Sequence, residues 1–573
     1  MTKPSASEFT RRQVLQIGAG TLVAFGAGEI GRVALAEGSP SPTVAGFKPL
    51  RSINIMNFLR GEEPRGPVDL MAPLVGQMEQ VKKHGFPASW LLQFDALVSG
   101  QFVEYLKKEM PANHEVGFWF EMNHKLCDAA GVEWRGRPDW GWDYHVPVAY
   151  LIGYTHEERI KLAVTAMREF KKIWGRYPAS IASWNLDAVT VGYLSDHYPI
   201  DAFAVCRDQD STDGFTIWGA PIAGYYPCRN NAWSPAVEAR NQIHTPILRL
   251  LGQDPVYYYD LRYPVDDGAI SSAPDTMEPV WPSGRSKHFV DTFFDMIAHT
   301  PCLAFSYAQL GQENSFGWPD MRDGFAMQMT ALAELRDAGA LSIETMGETG
   351  RRFKSAFPTT PPQAQVQLTD PFGHDNPAEK SIWYQSRFYR ANLHSRGSEI
   401  FLRDIAVYSD RLRQPYLDNP TRIHGIEQRL PAVLDALHWS DGKTKCAGRF
   451  VLINSQGDTS TIEATSFADV RESGSTLEIG VPIKTGGVLH LDLGEHVLSV
   501  RANDLPEGKT FALDFQWAHD RTSFVSIEKD RLNYRFESFN YSVKVMRGHA
   551  EPTAAGVRID SVGNEVRLDM RQT

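Results

Sequence analysis

The chain changes its pattern of apolar and polar positions near residue 357. Before that point, short apolar runs typical of buried strands alternate with stretches whose apolar residues recur at helical spacing. Seven strands are predicted, at 52–57, 88–95, 114–121, 180–186, 202–206, 245–250 and 302–306. Strands that alternate with helices predict a mainly parallel sheet, and seven of them favour a (β/α)7-type barrel.

Helices are predicted at 73–84, 155–174 and 327–338. The second has the clearest signals. Thr155 and Glu158 have the spacing of a capping box, in which each side chain bonds the other's backbone N–H. Its apolar residues fall on one face, which predicts a helix packed on the sheet: Ile160, Ala163, Ala166, Met167, Phe170 and Ile173.

Beyond residue 357 the pattern becomes that of an antiparallel β-protein. A proline-rich run, Pro-Thr-Thr-Pro-Pro, fills 358–362. Strand-like segments separated by Gly, Asn and Asp follow at 449–454, 475–481, 488–493, 496–502, 510–517 and 557–559. We therefore predict an α/β barrel domain over 37–357, a linker over 358–366 and an antiparallel β-sandwich with an accessory role over 367–573.

The first 36 residues have the pattern of a twin-arginine signal peptide. Arg11 and Arg12 precede an apolar stretch, and Ala34-Leu35-Ala36 is typical of a cleavage site. Glycines interrupt the stretch, so it is too weakly apolar to predict a membrane anchor. The expected location of the mature protein is the periplasm or the outside of the cell.

Charge and motif content exclude several other classes of function. The net charge is −11, which argues against nucleic acid or anionic lipid as a partner. No later segment is apolar for long enough to span a membrane. The glycines of 18–31 follow paired arginines rather than a strand, so they do not indicate a dinucleotide site, and no G-x-S-x-G elbow is present. We predict no cofactor, and the pattern leaves the oligomeric state open.

Residues 112–124, A-N-H-E-V-G-F-W-F-E-M-N-H, resemble a segment of the NodB-type polysaccharide deacetylases. These belong to the glycoside hydrolase/deacetylase superfamily, whose members are (β/α)7 barrels that act on carbohydrates. The resemblance rests on Asn113 to Gly117 and on the alternating architecture. A barrel followed by a β-sandwich also resembles the retaining glycosidases of that superfamily.

The resemblance fails at the positions that imply a metal. Family deacetylases hold it with two histidines of this segment and an aspartate at the end of the first strand. The matching residues here are Trp119, Asn123 and Asn57. Tryptophan does not ligate metals, and a neutral amide is a weak substitute for imidazole or carboxylate. We therefore predict no metal site, since a lone shifted ligand at His124 is insufficient.

Two carboxylates follow predicted strands and are candidates for catalysis. Glu121 ends the third strand and Asp187 follows the fourth. Barrel enzymes use the carboxyl ends of strands, and neighbouring strand ends lie close enough for a retaining glycosidase pair. Burial after Val116–Phe120 predicts a raised pKa and the acid role for Glu121. The resemblance implies that Asp187 is the nucleophile or a charge stabiliser, and its alternative role is to cap a helix over 188–195.

Two further carboxylates are additional candidates for the catalytic role. Asp208 lies in the polar cluster 207–213 and Glu313 follows the last predicted strand. A calcium loop is a weaker interpretation of that cluster, because the glycine and distal glutamate of an EF-hand are missing.

Aromatic and polar residues crowd the loops between the third and sixth strands. Flat rings suit the faces of sugars, which favours a carbohydrate-binding cleft. The predicted substrate-binding residues are Trp119, Trp140, Trp142, Asp143, His145, Trp184, Tyr225, Tyr226, Arg229 and Trp233.

These features favour an exported glycoside hydrolase that acts on an oligo- or polysaccharide. A metal-dependent deacetylase with rearranged ligands is one alternative. A carbohydrate-binding protein without catalytic activity is the other.

Overall fold

The computed structural model describes residues 48–572, apart from 258, 260–262, 265–269, 272–274, 442, 467–468 and 519–523. The predicted signal peptide lies outside the described residues. Within the described ranges, no helix is long and apolar enough to cross a membrane.

The first part of the chain builds a mainly parallel sheet. Its main strands are β1 (Leu50–Leu59), β2 (Ser89–Leu92), β3 (Glu115–Trp119), β4 (Ser180–Ala182) and β5 (Ala202–Cys206). The following strands are β6 (Gln209–Thr212), β7 (Phe215–Trp218), β8 (Gly224–Tyr225), β9 (Pro227–Cys228), β10 (Asn231–Pro235), β11 (Ile247–Leu250), β12 (Tyr263–Pro264), β13 (Ile270–Ser271), β14 (Phe305–Leu310) and β15 (Ser342–Glu344).

Seven parallel strands follow one another in the order β14, β1, β2, β3, β4, β5 and β11, with β15 added beside β1 and β8 antiparallel to β11. These are the seven strands that the sequence predicts, so the (β/α)7-type fold class is confirmed. Among the described residues no backbone ladder joins β11 to β14. The Gln309 side chain bridges them instead, since its Oε1 accepts a hydrogen bond from the Leu251 N–H (2.8 Å).

Helices cover the outside of this sheet. They are Met71–His84, Phe94–Leu97, Gly100–Glu109, His124–Ala130, Val146–Ala149, His156–Trp174, Ala188–His197, Lys287–His299, Trp318–Asp337 and Met346–Ala356. The capping box predicted for Thr155 and Glu158 is present. Apolar residues on the outer face of the strands, such as Ile53, Ile55 and Val116, pack with the helices in one large core.

The second part of the chain is mainly antiparallel. Its strands are β16 (Gln363–Gln367), β17 (Glu379–Gln385), β18 (Tyr389–Arg396), β19 (Glu399–Val407), β20 (Ile426–Arg429), β21 (Ala432–Asp435), β22 (Ala447–Ile453), β23 (Thr459–Thr461), β24 (Asp469–Ser473), β25 (Thr476–Pro482), β26 (Val488–Leu493), β27 (Val497–Asn503), β28 (Thr510–Gln516), β29 (Phe524–Glu528), β30 (Arg531–Phe536), β31 (Phe539–Arg547), β32 (His549–Thr553), β33 (Gly556–Asp560) and β34 (Glu565–Asp569). A ten-stranded and an eight-stranded sheet bury a shared apolar core, as in a β-sandwich.

The predicted linker, 358–366, is part of the folded structure and does not behave as a separate connecting segment. Strand β16 begins inside it, at Gln363, and pairs with β17. The Gln363 amide also donates to the backbone oxygen of Gly224 (2.6 Å), and Thr360 Oγ1 accepts from the Tyr226 N–H (2.9 Å). Residues 358–366 are therefore bonded to the parallel part of the molecule.

Candidate active site

Side-chain alternation along the strands builds a polar floor at one end of the parallel sheet. Phe58, Trp119 and Ala182 point into the apolar interior of the sheet. Side chains two residues apart in extended backbone share a face. The residues two positions further on are Arg60, Glu121 and Trp184, and all three line a pocket at the carboxyl ends of the strands.

This pocket opens to solvent. Charged and aromatic side chains share its wall. The lining residues are Arg60, Arg65, Glu121, Trp142, Tyr144, Tyr150, Trp184, Asp213, Glu278, Glu313 and Phe316. The mixture of a few charges with flat rings is typical of a site for a small polar ligand or one end of a larger one.

Arg60 joins two buried carboxylates at the floor. Its Nη1 lies 2.7 Å from Glu121 Oε2, and its Nη2 lies 3.5 Å from Glu313 Oε2. Glu121 also accepts a hydrogen bond from Trp119 Nε1 (3.0 Å). Glu313 accepts one from the hydroxyl of Ser315. One guanidinium therefore holds both carboxylates in the same small volume.

Burial sets the protonation properties of this group. Loss of solvent raises the pKa of Glu121, and the nearby Glu313 carboxylate adds to the rise, while Arg60 and Trp119 oppose it by favouring the ionised form. Burial alone would lower the pKa of Arg60, but the carboxylates of Glu121, Glu313 and Glu63 outweigh it and raise that pKa. Arg60 therefore stays charged, whereas burial favours the protonated form of Glu121.

Aromatic rings form one wall and support the floor. The Arg60 guanidinium lies 3.8 Å from the centre of the Trp142 ring, and that of Arg65 lies 4.7 Å from it. The indole of Trp142 is fixed by its Nε1–H, which donates to the backbone oxygen of Glu62 (2.9 Å). Trp184 and Trp119 pack in a T-shaped arrangement, with ring centres 5.0 Å apart.

Two more carboxylates reach the pocket from loops. Glu278 accepts hydrogen bonds from Thr276 Oγ1 (2.9 Å) and Gln312 Nε2 (3.2 Å). Asp213 stands at the tip of the hairpin formed by β6 and β7, where its φ is +53°. Four acidic side chains and two arginines therefore face one cavity.

The structure does not bring Asp187 to this pocket. Asp187 is completely buried and caps the helix Ala188–His197 by accepting from the N–H groups of Val189 and Thr190, both at 3.1 Å. Its Oδ1 also lies 3.2 Å from Arg159 Nη1. The expected nucleophile is thus a helix cap with a buried arginine partner, which is the alternative that the sequence left open.

Asp208 also lies outside the pocket, where it pairs with buried arginines. It accepts from Gly219 N–H (2.7 Å) and lies 3.1 Å from Arg249 and 2.6 Å from Arg390. All three charged side chains are buried. Within the cluster 207–213 it is Asp213, not Asp208, that lines the pocket.

The predicted aromatic cluster divides into three groups. Trp142 and Trp184 line the pocket, and Trp119 stacks on Phe58 behind it, with ring centres 3.9 Å apart. The neighbouring loop carries Trp140, which stacks with Arg137, and Asp143, which lies 2.7 Å from His145 Nδ1.

The third group lies away from the pocket, and each member has a local role. The hydroxyls of Tyr225 and Tyr226 donate to the backbone oxygens of Ala232 (2.8 Å) and Phe357 (2.7 Å). Arg229 pairs with Asp196 at 2.9 Å, and Trp233 is buried with Arg249 over its ring. These residues stabilise the fold and do not reach the pocket.

The residues that the resemblance matches to deacetylase metal ligands are engaged in hydrogen bonds within the protein. Trp119 Nε1 is a donor that points at Glu121. Asn123 Oδ1 caps the helix His124–Ala130 by accepting from Leu126 N–H, and Asn57 Oδ1 accepts from Gln312 N–H. Across the described part of the chain, no group of three His, Cys, Asp or Glu side chains is arranged to hold an ion.

Several pocket residues were missed by the sequence analysis. Arg60 was detectable, because it follows Phe58 by two positions on an apolar strand. Asp213 was detectable too, since Asp-Gly is a strong hairpin signal that places its tip residue. Glu278, Tyr150 and Phe316 come from loops, and no local pattern marks them.

Comparison with solved structures identifies the class of fold. A protein from Parabacteroides distasonis assigned as a glycoside hydrolase/deacetylase is 15% identical; the match covers 67% of this chain and 90% of that one, with a TM-score of 0.50. Assigned polysaccharide deacetylases from Mycobacterium smegmatis (10% identity, 56% and 96% coverage, TM-score 0.31) and Pseudomonas aeruginosa (11%, 54% and 92%, 0.32) also match. No protein-family model and no curated protein sequence matches the chain. The first of these structures confirms the glycoside hydrolase/deacetylase type of fold. At 15% identity the match shows the fold alone.

Proposed function

We propose that this protein is a carbohydrate-active hydrolase, and specifically a glycoside hydrolase whose catalytic carboxyl groups are Glu121 and Glu313. The observation that carries the proposal is the shared contact of both carboxylates with Arg60 at the floor of a pocket walled by Trp142 and Trp184. Glycosidases use one protonated and one ionised carboxyl group on either side of the scissile bond.

The two carboxylates have different environments, which separates their roles. Burial raises the pKa of Glu121, so Glu121 is the group that protonates the leaving-group oxygen. Glu313, on the other side of Arg60, is the nucleophile or the base that activates water. Arg60 keeps the pair close and stabilises whichever carboxylate is ionised. Trp184, which is partly exposed in the pocket, provides a flat face for a sugar ring.

The proposal is tested by incubating the protein with a panel of aryl glycosides and soluble polysaccharides and measuring released phenol or reducing ends. Release by the wild type, abolished in Glu121→Gln and Glu313→Gln, supports it. Binding of an oligosaccharide without release would instead indicate a carbohydrate-binding protein. Release of acetate, and not of reducing ends, would indicate a deacetylase.

We also propose that the protein works outside the cytoplasm, since its first 36 residues have the twin-arginine pattern. A precursor with Arg11→Lys and Arg12→Lys is expected to stay in the cytoplasm of a Tat-competent host. Normal export of this double variant would contradict the proposal.

A further inference from the structure

The hairpin of β6 and β7 connects the pocket to the C-terminal β-region. Its tip is Asp213-Gly214, with φ values of +53° and +78°, and Asp213 lines the pocket. Two successive positive φ values give a tight turn whose twist matches the paired strands. The tip therefore has a defined position beside Glu121 and Glu313.

The C-terminal region adds a strand to this hairpin. Strand β20 runs parallel to β7, with Ile426 opposite Phe215 and Arg429 opposite Trp218. The backbone oxygen of Gly214 accepts hydrogen bonds from the N–H groups of Gly425 (2.8 Å) and Ile426 (3.1 Å). The turn that carries Asp213 is thus bonded directly to the segment before β20.

His424 fills the space behind the turn. A Cβ atom on Gly214 would lie 1.9 Å from the His424 ring, so glycine is needed both for its φ and for this contact. His424 Nδ1 accepts from the Val146 N–H (3.0 Å), and its ring meets Tyr144, another pocket residue, with centres 6.4 Å apart. His424 therefore supports two pocket residues from behind without lining the pocket itself.

Buried charges fix the base of the same hairpin. Asp208 lies 2.6 Å from Arg390 of β18. Asp210 Oδ1 lies 3.6 Å from His438 Nε2, an ion-pair distance, and His438 Nδ1 lies 2.7 Å from Asp435. The hairpin is therefore held by the C-terminal region at its base, along β7 and at its tip.

We infer that Asp213 is a substrate-binding residue of the pocket and that His424, from the C-terminal β-region, is the residue that positions it. This inference rests on the proposed function. An Asp carboxylate at the rim of a sugar site accepts hydrogen bonds from sugar hydroxyls. It gives the C-terminal region, which the sequence indicates is an accessory domain, an indirect part in substrate binding, because His424 holds the turn that carries Asp213.

The test compares full-length Asp213→Asn, His424→Ala and a matched control, His549→Ala, whose histidine is exposed on β32. Kinetics use the aryl glycoside that the wild type hydrolyses fastest. Asp213→Asn and His424→Ala are each expected to raise KM about tenfold, the effect of losing a hydrogen bond to a charged group, while kcat stays close to wild type. Amide hydrogen exchange is expected to speed up at 209–218 in His424→Ala only.

Binding is measured separately from turnover. Calorimetry with hexasaccharides of xylose, glucose and N-acetylglucosamine is done in a Glu121→Gln background, with and without the two changes. Failure of the wild type to hydrolyse any glycoside would contradict the proposed function. Even then, weaker hexasaccharide binding in the Asp213→Asn and His424→Ala variants would support the inference. An unchanged KM and affinity in Asp213→Asn would overturn the binding role. Unchanged exchange and affinity in His424→Ala would overturn the positioning role.

Discussion

Arg60 Nη1 lies 2.7 Å from Glu121 Oε2, and both side chains are almost fully buried. A buried carboxylate needs a compensating charge, and this guanidinium provides it while also contacting Glu313. The position of Glu121 in the pocket and its tendency to hold a proton therefore both depend on Arg60.

The first prediction concerns the alkaline limb of activity. An acid catalyst is lost as pH rises through its pKa, and burial places the pKa of Glu121 above the ordinary range near 4.3. Arg60→Met removes the cation that favours ionised Glu121, so the alkaline limb of kcat should move to higher pH. Profiles for wild type and variant measure this shift.

Arg65→Met is the matched control, because the Arg65 guanidinium pairs with Glu63 at 2.6 Å. The alkaline limb of kcat in Arg65→Met should lie at the same pH as in the wild type. An alkaline limb that does not move in Arg60→Met would show that the proton lost on this limb does not belong to Glu121.

The second prediction concerns Asp187. Removing it leaves Arg159 buried without its carboxylate, a change that costs about 3–5 kcal/mol of stability. Asp187→Ala should therefore lower the thermal unfolding midpoint markedly, yet keep the turnover of the molecules that remain folded. Asp128→Ala, at an exposed helical position, is the control. Normal stability with lost turnover would restore Asp187 as a catalytic residue.

Asp187 and Glu121 show where sequence patterns stop being informative. Both follow apolar strands, but β4 ends at Ala182, so the chain has left the strand face before it reaches Asp187. Glu121 is only two residues beyond the end of β3, and alternation still holds there. Counting two positions from the last inward residue finds Arg60, Glu121 and Trp184 and excludes Asp187.

The strands themselves were predictable because burial on both faces leaves continuous apolar runs. The loops were not. Glu278 reaches the pocket through bonds to Thr276 and Gln312, and the second of these partners lies on a distant segment. The pairing of β20 with β7 is likewise non-local, so no sequence pattern indicates that His424 stands behind Asp213.

The third prediction concerns stability and pH at His438. Burial alone would lower the pKa of His438, but Asp435 and Asp210 outweigh it and raise it to about 9. A raised pKa contributes stability that is fully present below the unfolded value near 6.5 and is lost as pH rises through 9. This rise corresponds to roughly 3 kcal/mol.

His438→Gln should therefore unfold at a clearly lower temperature than wild type at pH 6. The gap should shrink as pH increases and be small at pH 10. Thermal unfolding over this range measures the effect, with His549→Ala as the control. A gap that is constant with pH would mean that His438 contributes packing and no charge.

The fourth prediction concerns metals. Asn57, Trp119 and Asn123 are all engaged in hydrogen bonds within the protein. Activity should survive exhaustive chelation followed by gel filtration into metal-free buffer. Loss of activity that zinc restores would contradict the glycosidase mechanism and favour a metal-dependent deacetylase.

The most direct test of the central claim is the turnover of Glu121→Gln and Glu313→Gln on two aryl glycosides that differ only in the acidity of the leaving phenol. Removal of a general acid or base lowers turnover about 10²–10⁴-fold. Glu121→Gln should show that loss with the poor leaving group and recover much of its activity with the good one, which needs little protonation. Glu313→Gln should be impaired with both. Near-wild-type turnover of both variants on both substrates would show that these carboxylates are not the catalytic pair.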